Sequence, residues 1–183
     1  HSKNKSITKI HFQGCKNLVS NFQNNKPRKF IQIGSSIEYG KRKSPQKEIS
    51  IRKIDTLSVY GNAKLKSTLF LLSLFKKQSF PSTILRLYLV YGPNQNKERF
   101  LPFIINESIK NKEYLVSPCE QIRDFCYVDD IVRAIFIALN KKRIFGEILN
   151  IASGNPVKIN KMLSLVLEIL KKGKPVIGGI NYR

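Results

Sequence analysis

Three residues among the first 64 could together transfer a proton: Ser35, Tyr60 and Lys64. Tyr60 and Lys64 are four residues apart in "YGNAK", so in a helix both side chains project from one face. A tyrosine hydroxyl, with an ordinary pKa of about 10, is a poor acid or base at neutral pH, but a neighbouring ammonium favours its phenolate form. A serine hydroxyl could then hold a substrate oxygen while the tyrosine gives or takes the proton. These residue types predict acid–base chemistry on an alcohol or a carbonyl group.

The same residues also have readings without chemistry. Ser35 and Ser36 could simply end the strand in "KFIQIGSS", and Tyr60 with Lys64 could form an exposed pair at the start of a helix. The spacing Y-x-x-x-K is by itself a weak signal, because many helices contain it. Its combination with an earlier strand that ends in two serines is more specific.

Strands and helices alternate along the chain, which predicts a doubly wound parallel α/β sheet of the Rossmann kind. Apolar and β-branched runs predict strands at 27–36, 82–92, 113–117 and 146–153. Helical spacing of apolar residues predicts helices at 7–24, 58–77, 99–111, 128–141 and 157–172. Asp129 or Asp130 is the expected N-cap of the helix at 128–141, and residues 41–56 are an expected loop. Ser35 then lies at the carboxyl end of a strand, where ligands bind in open α/β sheets.

The composition limits the class of protein. With 183 residues, 42% of them hydrophobic, the chain can bury the core of one or two domains and is not a disordered tail. No apolar run reaches the roughly 18 residues of a membrane span, and no export signal is visible. The three cysteines (Cys15, Cys119 and Cys126) show no C-x-x-C spacing and the two histidines are isolated. We therefore expect reduced thiols, no metal site and a cytoplasmic protein.

The net charge of +21 is the strongest compositional signal. It is typical of proteins that bind nucleic acid, and a basic binding module is one open alternative. The basic residues are spread along the chain, however, and form no single stripe with interleaved aromatic residues. Solvated helix faces, or attraction of a small anionic ligand such as a nucleotide diphosphate, account for that distribution better.

Five segments resemble, in their order and spacing, the extended short-chain dehydrogenases/reductases: "SSIEYG", "YGNAK", "LRLYLVYGP", "IRDFCYVDDIVRAI" and "ILNIASG". The chain is similar to the NAD-dependent epimerase/dehydratase family, which acts on nucleotide sugars. The resemblance extends from about residue 7 to about residue 170. It implies an NAD- or NADP-dependent enzyme that oxidises or reduces C4 of a nucleotide-linked sugar.

The resemblance also implies roles for single residues. Ser35 matches the catalytic serine or threonine of the family, and Tyr60 matches its catalytic tyrosine. Lys64 matches the lysine that binds the nicotinamide ribose and lowers the pKa of the tyrosine. Tyr88 falls where the family has an aromatic residue near the nicotinamide. These matches make Tyr60, Lys64 and Tyr88 the expected contacts to the cofactor.

Two further residues are expected to bind the substrate. Ser36 follows the catalytic serine, and Arg123 in "RDF" matches an arginine that contacts the diphosphate of the nucleotide sugar; its forked guanidinium suits that task. An equally open reading makes Arg123 the ion-pair partner of a nearby carboxylate: Asp124, Asp129 or Asp130.

The chain departs from the family pattern in three ways. Members of the family often have asparagine where this chain has His11 and where it has Leu89. No strand leads into a glycine-rich pyrophosphate loop, and the chain begins with His1 in place of Met, so we expect a piece of a longer protein whose isolated segment is inactive. Sugar 4,6-dehydratases have Asp-Glu after the catalytic hydroxyl residue, whereas this chain has Ser36 and Ile37, which disfavours dehydration. "GSSIEYG" and "GGINYR" resemble instead epimerases or reductases that finish deoxysugars, such as CDP-linked dideoxyhexoses.

The resemblance finally implies a domain organisation. Residues 1–92 and 123–153 would belong to the cofactor-binding Rossmann domain, and residues 93–122 and 154–183 to a small substrate-binding subdomain. The helices at 7–24 and 58–77 resemble the pair that forms a four-helix interface in relatives, so a homodimer is expected. The kind of sugar, the nucleotide base, and epimerase against reductase stay open at this level.

Overall fold

The computed structural model describes residues 6–22, 25–48 and 58–182. They form two compact units, whose boundaries fall after Tyr88, Asp129 and Ile151. The chain therefore passes from the first unit into the second, returns, and leaves again. The end of the first predicted helix (23–24) and the second half of the predicted loop (49–56) lie outside the described residues.

The helices are α1 Gly14–Ser20, α2 Val59–Gln78, α3 Phe100–Lys110, α4 Val128–Asn140 and α5 Ile159–Leu170. The strands are β1 Phe30–Ser35, β2 Ser82–Leu87, β3 Leu89–Tyr91, β4 Glu113–Val116, β5 Ile122–Arg123, β6 Phe125–Tyr127, β7 Ile148–Ile151, β8 Val157–Lys158 and β9 Lys174–Ile177. A π-helical turn, Lys9–Gln13, leads directly into α1.

The first unit contains a parallel sheet with the strand order β1-β2-β7. The predicted parallel α/β architecture is therefore confirmed. β2 is the central strand, and its residues Ser82–Arg86 are all buried, as expected for a strand covered on both faces. In register, Ser35 lies beside Leu87, and Leu87 beside Ile151, so these residues share the carboxyl edge of the sheet.

Helices α1 and α2 pack on this sheet through an apolar cluster that includes Val19, Leu71 and Ile84. The start of α2 is fixed by Ser58, whose side chain accepts a hydrogen bond from the Gly61 N–H at 3.0 Å. Lys76 and Lys77 lie in its last turn, where cations are favourable to the helix dipole.

The second unit has its own core, in which Ile104 of α3 and Leu163 of α5 are buried together with Tyr114 of β4. Its strands pair two by two: β3 with β6 and β4 with β9 in parallel, and β5 with β8 antiparallel. Among the described residues, no helix combines the length and apolar character that a membrane crossing requires.

Several predicted boundaries were wrong. The predicted strand 82–92 is two strands, because the backbone changes partners at Tyr88: the Tyr88 N–H bonds to the Ile151 carbonyl, but the Leu89 N–H bonds to that of Asp124. Asp129 and Asp130 are not N-caps, since α4 already begins at Val128. The prediction also missed the short strands β5, β6, β8 and β9, whose two to four residues carry too little pattern to be recognised.

Candidate active site

A tight turn follows the first strand and holds Ser35. We call residues 35–40 the Ser35 turn; it contains the short 3₁₀ helix Ser36–Tyr39. The Ser35 hydroxyl oxygen accepts from the Ile37 N–H at 3.4 Å, and the Ser35 N–H donates to Glu38 Oε1 at 2.8 Å, the return bond of a capping box between Ser35 and Glu38. These hydrogen bonds fix the backbone of Ser35. The residue is half-buried, so its side chain stays within reach of solvent.

Tyr60 and Lys64 both lie in the first two turns of α2, as their spacing predicts. The Lys64 ammonium donates to the carbonyl of Ile33 in β1 at 2.8 Å, and its Nζ lies 5.7 Å from the centre of the Tyr60 ring. This hydrogen bond ties the helix to the strand two residues before Ser35. The structure therefore brings Lys64 together with Tyr60, and beside the end of the strand that carries Ser35.

Lys64 is a positive charge held partly out of water. Burial lowers its pKa from the ordinary value, whereas the negative charge of Glu38 acts in the opposite direction. A desolvated ammonium interacts more strongly with a neighbouring phenol than an exposed one would, because fewer water dipoles screen it.

The His11 ring contacts Tyr60, and the residue types and their spacing did not predict this contact. Its ring meets that of Tyr60 edge to face, with the centroids 5.0 Å apart and the planes at 82°. Burial, and then the charge of Lys64, lower the pKa of His11 below its ordinary value, which favours the neutral imidazole. The histidine stands where the family often has asparagine, and this was the only available signal.

Tyr88 lies one residue beyond β2, at the same edge of the sheet as Ser35. Its hydroxyl donates to Gln46 Oε1 at 3.0 Å, and its half-buried ring is part of the first unit. The four candidates Ser35, Tyr60, Lys64 and Tyr88 thus belong to one compact unit. Ser36, the neighbour of Ser35, is half-buried as the first residue of the 3₁₀ helix.

Arg123 belongs to the second unit, where it is exposed on the short strand β5. Its Nη1 donates to the carbonyl of its neighbour Ile122 at 2.8 Å, and within the described part of the chain it forms no ion pair. Asp124 accepts instead from the Ser153 and Gly154 N–H groups, and Asp130 pairs with Arg133 at 3.9 Å. The ion-pair alternative for Arg123 is therefore not what the structure contains.

The chain belongs to the NAD dependent epimerase/dehydratase family, whose model matches residues 1–152. Among similar proteins, an uncharacterized UDP-glucose epimerase of Bacillus subtilis, YtcB, is 29% identical over 162 residues, which are 87% of this chain and 50% of the relative. The human dTDP-D-glucose 4,6-dehydratase is 28% identical over 167 residues, 91% of this chain and 47% of that protein. The chain thus spans about half the length of the curated relatives it matches.

A solved structure of similar fold is the UDP-glucuronic acid 4-epimerase of Bacillus cereus in complex with UDP-glucuronic acid and NAD. It superposes with a TM-score of 0.83 and 29% identity, covering 91% of this chain and 54% of that one. These comparisons all lie among nucleotide-sugar enzymes and give no support to the alternative of a nucleic-acid-binding module.

Proposed function

We propose that this chain is the catalytic part of a longer NAD(P)-dependent enzyme that epimerises a nucleotide sugar, or reduces its 4-keto form, in the synthesis of deoxysugars or surface polysaccharides. One observation carries the proposal. The Lys64 ammonium donates to the Ile33 carbonyl and lies 5.7 Å from the centre of the Tyr60 ring, near the end of the strand where Ser35 begins its turn. This arrangement suits proton transfer to or from a sugar oxygen.

In the proposed mechanism the Ser35 hydroxyl holds the reacting oxygen of the sugar by a hydrogen bond. Tyr60 takes the proton of the alcohol during oxidation and returns it during reduction. The Lys64 ammonium favours the phenolate form of Tyr60 and so readies it as a base. His11 packs on the Tyr60 ring and limits its rotation.

The residues present fit the nicotinamide end of a dinucleotide. Lys64 offers a fixed, partly buried ammonium to a ribose hydroxyl, and Tyr88 an aromatic ring at the same edge of the sheet. The cofactor, when bound, supplies the hydride acceptor and donor. The glycine-rich loop that would hold its pyrophosphate is not in this sequence, so that part of the site would come from elsewhere in the whole protein.

An exposed apolar face on α4 supports the proposal that the chain works within a longer protein. Phe136 is 61% exposed and Ile137 53%, and Val132 and Leu139 are exposed beside them. A face of this kind is costly to leave in water. We propose that other parts of the cofactor-binding domain cover it. In the same proposal, residues 1–92 and 123–153 serve the cofactor, and residues 93–122 and 154–183 the sugar nucleotide.

The sugar nucleotide is proposed to contact Ser36 beside the reacting oxygen and Arg123 at its diphosphate. An exposed guanidinium outside any ion pair in the described residues can receive two phosphate oxygens in parallel. Ile37 is 40% exposed and offers no acid at the position where dehydratases have one. Epimerisation or ketone reduction is therefore favoured over loss of water. We propose a cytoplasmic location, which the three cysteines without disulfide bonds support.

We also propose that the enzyme is a homodimer through the helices at 7–24 and 58–77. The π-helical turn and α2 already pack together, through the His11–Tyr60 and Phe12–Phe70 ring pairs. Ile10 and Leu18, 65% and 52% exposed, offer an apolar outer surface. Light scattering on an I10E/L18E variant should report monomers, while Ile169→Glu, which alters an equally exposed residue in α5, should stay dimeric. A dimeric double variant would refute this interface.

The catalytic proposal is tested with the product of the complete reading frame. It should be incubated with NAD or NADPH and UDP-, CDP-, dTDP- and GDP-linked hexoses and their 4-keto forms, and the products identified by mass and NMR. An epimer keeps the mass of the substrate, and a reductase product gains two hydrogens. A product that has lost water would overturn the argument from Ser36 and Ile37. Absence of turnover on every sugar would contradict the proposal itself.

A further inference from the structure

A buried carboxylate lies directly beneath the proposed catalytic serine. Glu38 is 0% exposed and makes three side-chain contacts with three different elements. Oε1 accepts from the Ser35 N–H at 2.8 Å, whereas Oε2 accepts from the Thr68 hydroxyl at 2.8 Å and from Arg86 Nε at 3.0 Å. One side chain thus joins the Ser35 turn to helix α2 and strand β2.

Arg86 supplies the opposite charge and is itself completely buried. Its guanidinium carbon lies 4.5 Å from the centre of the Tyr39 ring, and the Tyr39 hydroxyl donates to Asn150 Oδ1 at 2.7 Å. Within the described residues, Nη1 and Nη2 of Arg86 have no hydrogen-bond partner. An arginine held at such cost contributes little net stability, because desolvation of both charges opposes their attraction. A role in fixing geometry explains its presence better.

The backbone at Gly34 passes close to the Glu38 carboxylate. A Cβ added to Gly34 would lie 2.6 Å from Glu38 Oε1 and 3.2 Å from the Arg86 side chain. Any larger residue would therefore displace the carboxylate from the Ser35 N–H. Because glycine has no side chain, position 34 leaves the space that the Glu38 and Arg86 side chains occupy.

Thr68 extends the link to the other catalytic candidates. It lies four residues after Lys64 and eight after Tyr60 on α2, so the three side chains project toward similar sides of the helix. A shift of the helix relative to the Ser35 turn would break the Thr68–Glu38 bond. The Glu38 carboxylate is therefore hydrogen-bonded both to Ser35 and, through Thr68, to the helix that carries Tyr60 and Lys64.

We propose that Glu38, held by Arg86, is a positioning residue that sets the Ser35 hydroxyl against Tyr60 and Lys64 for proton transfer. The inference rests on the proposed function, since it assigns Glu38 a part only if Ser35 itself takes part in turnover. It goes beyond that function by naming a buried charge that never touches the substrate.

The test is a double-mutant cycle on the product of the complete reading frame: E38Q, S35A and E38Q/S35A. Because Glu38 also acts on the pKa of Lys64, kcat is compared at the plateau of each pH–rate profile. E38Q is expected to lower kcat about 10- to 100-fold with little change in KM, as misplacement of a reacting group does. In the S35A background the same change should have almost no further effect, because Glu38 acts through Ser35.

Thr83→Val is the matched control. Thr83 is equally buried, lies on β2 as Arg86 does, and donates to the Ile144 carbonyl away from the Ser35 turn. Its loss should lower the melting temperature and leave kcat per folded molecule unchanged. If E38Q does not fold, T68V and T68V/S35A replace it, with a smaller loss of kcat that again disappears without Ser35.

The outcomes separate this inference from the proposed function. Suppose that S35A lowers kcat and that E38Q lowers kcat by the same factor in the unmodified enzyme and in the S35A variant. This result would overturn the positioning role of Glu38 and leave the proposed function standing. Full turnover by S35A would refute the role of Ser35 in the proposed function, and with it the role of Glu38. A kcat of E38Q equal to that of the unmodified enzyme would also overturn the inference.

Discussion

The Ser35 turn and the β5 strand that carries Arg123 hold their functional side chains in opposite ways. The Ser35 turn is capped, bonded to a buried carboxylate, and lies next to a helix that is itself anchored to the sheet by Lys64. Arg123 is exposed on a strand of two residues, and within the part of the chain that the structure describes its guanidinium donates to the neighbouring Ile122 carbonyl. The difference agrees with the two different tasks that we propose for these residues. A proton-transfer group must be placed before the substrate arrives, whereas a phosphate-binding arginine can close on its ligand.

The largest effect expected from this comparison concerns Lys64. Lys64→Met should lower kcat by a factor of about 10² to 10⁴, the usual contribution of acid–base catalysis, because the ammonium beside Tyr60 is lost. Lys66→Met is the control, since Lys66 is exposed on the same helix. Steady-state kinetics measures both. Equal activity of the Lys64→Met and Lys66→Met variants would show that the ammonium beside Tyr60 contributes no more to turnover than an exposed one.

The next effect compares two arginines for stability. Arg86→Met leaves the buried Glu38 without its partner and should lower the free energy of unfolding by about 3–5 kcal/mol. Arg123→Met, at an exposed position, should change it by no more than about 0.5 kcal/mol. Urea titrations followed by circular dichroism give both values. Similar losses of unfolding free energy in the Arg86→Met and Arg123→Met variants would show that the folded protein does not depend on the buried Glu38–Arg86 pair.

A smaller effect is expected for Arg123 in binding. Arg123→Lys should raise KM about tenfold and leave kcat unchanged, because the lost bidentate contact serves ground state and transition state equally. Arg99→Lys, at another exposed arginine of the second unit, should change neither constant. A fall in kcat without a change in KM would show that Arg123 takes part in the chemical step. Its task would then not differ from that of Ser35 in the way proposed.

The smallest effect is a pH dependence of stability. Burial lowers the pKa of Lys64 in the folded protein, so the unfolded chain binds more protons between that value and the ordinary one of about 10.5. Stability contributed by Lys64 therefore increases as pH rises through this window. Melting temperatures from pH 7 to 10 should show the unmodified protein gaining on Lys64→Met. A difference that stays constant or declines with pH would contradict the desolvated state of Lys64.

The sequence predicted the part of the site that is local. The spacing of Tyr60 and Lys64 predicts a shared helix face, and both residues lie on α2 behind the Ser58 cap. The apolar run before Ser35 predicts a strand, and β1 ends at that residue. The catalytic roles themselves stay predictions, because they depend on a substrate and a cofactor. The parallel sheet followed from the alternation of strands and helices.

The parts that could not be predicted depend on residues distant in sequence. Glu38 appears in the sequence as an ordinary acid in a polar turn, and its burial results from Thr68 and Arg86, which only the fold brings to it. His11 reaches Tyr60 only because the first helix packs on α2. The break at Tyr88 depends on the partner strands of β2 and β3, which no local pattern encodes.

The most direct test of the central claim is Tyr60→Phe in the product of the complete reading frame. The change removes one oxygen and leaves the ring that packs on His11. We expect kcat on the identified nucleotide sugar to fall by a factor of about 10² to 10⁴, with KM and melting temperature nearly unchanged. Retention of most of the turnover would contradict the account, because Tyr60 would then not transfer the proton.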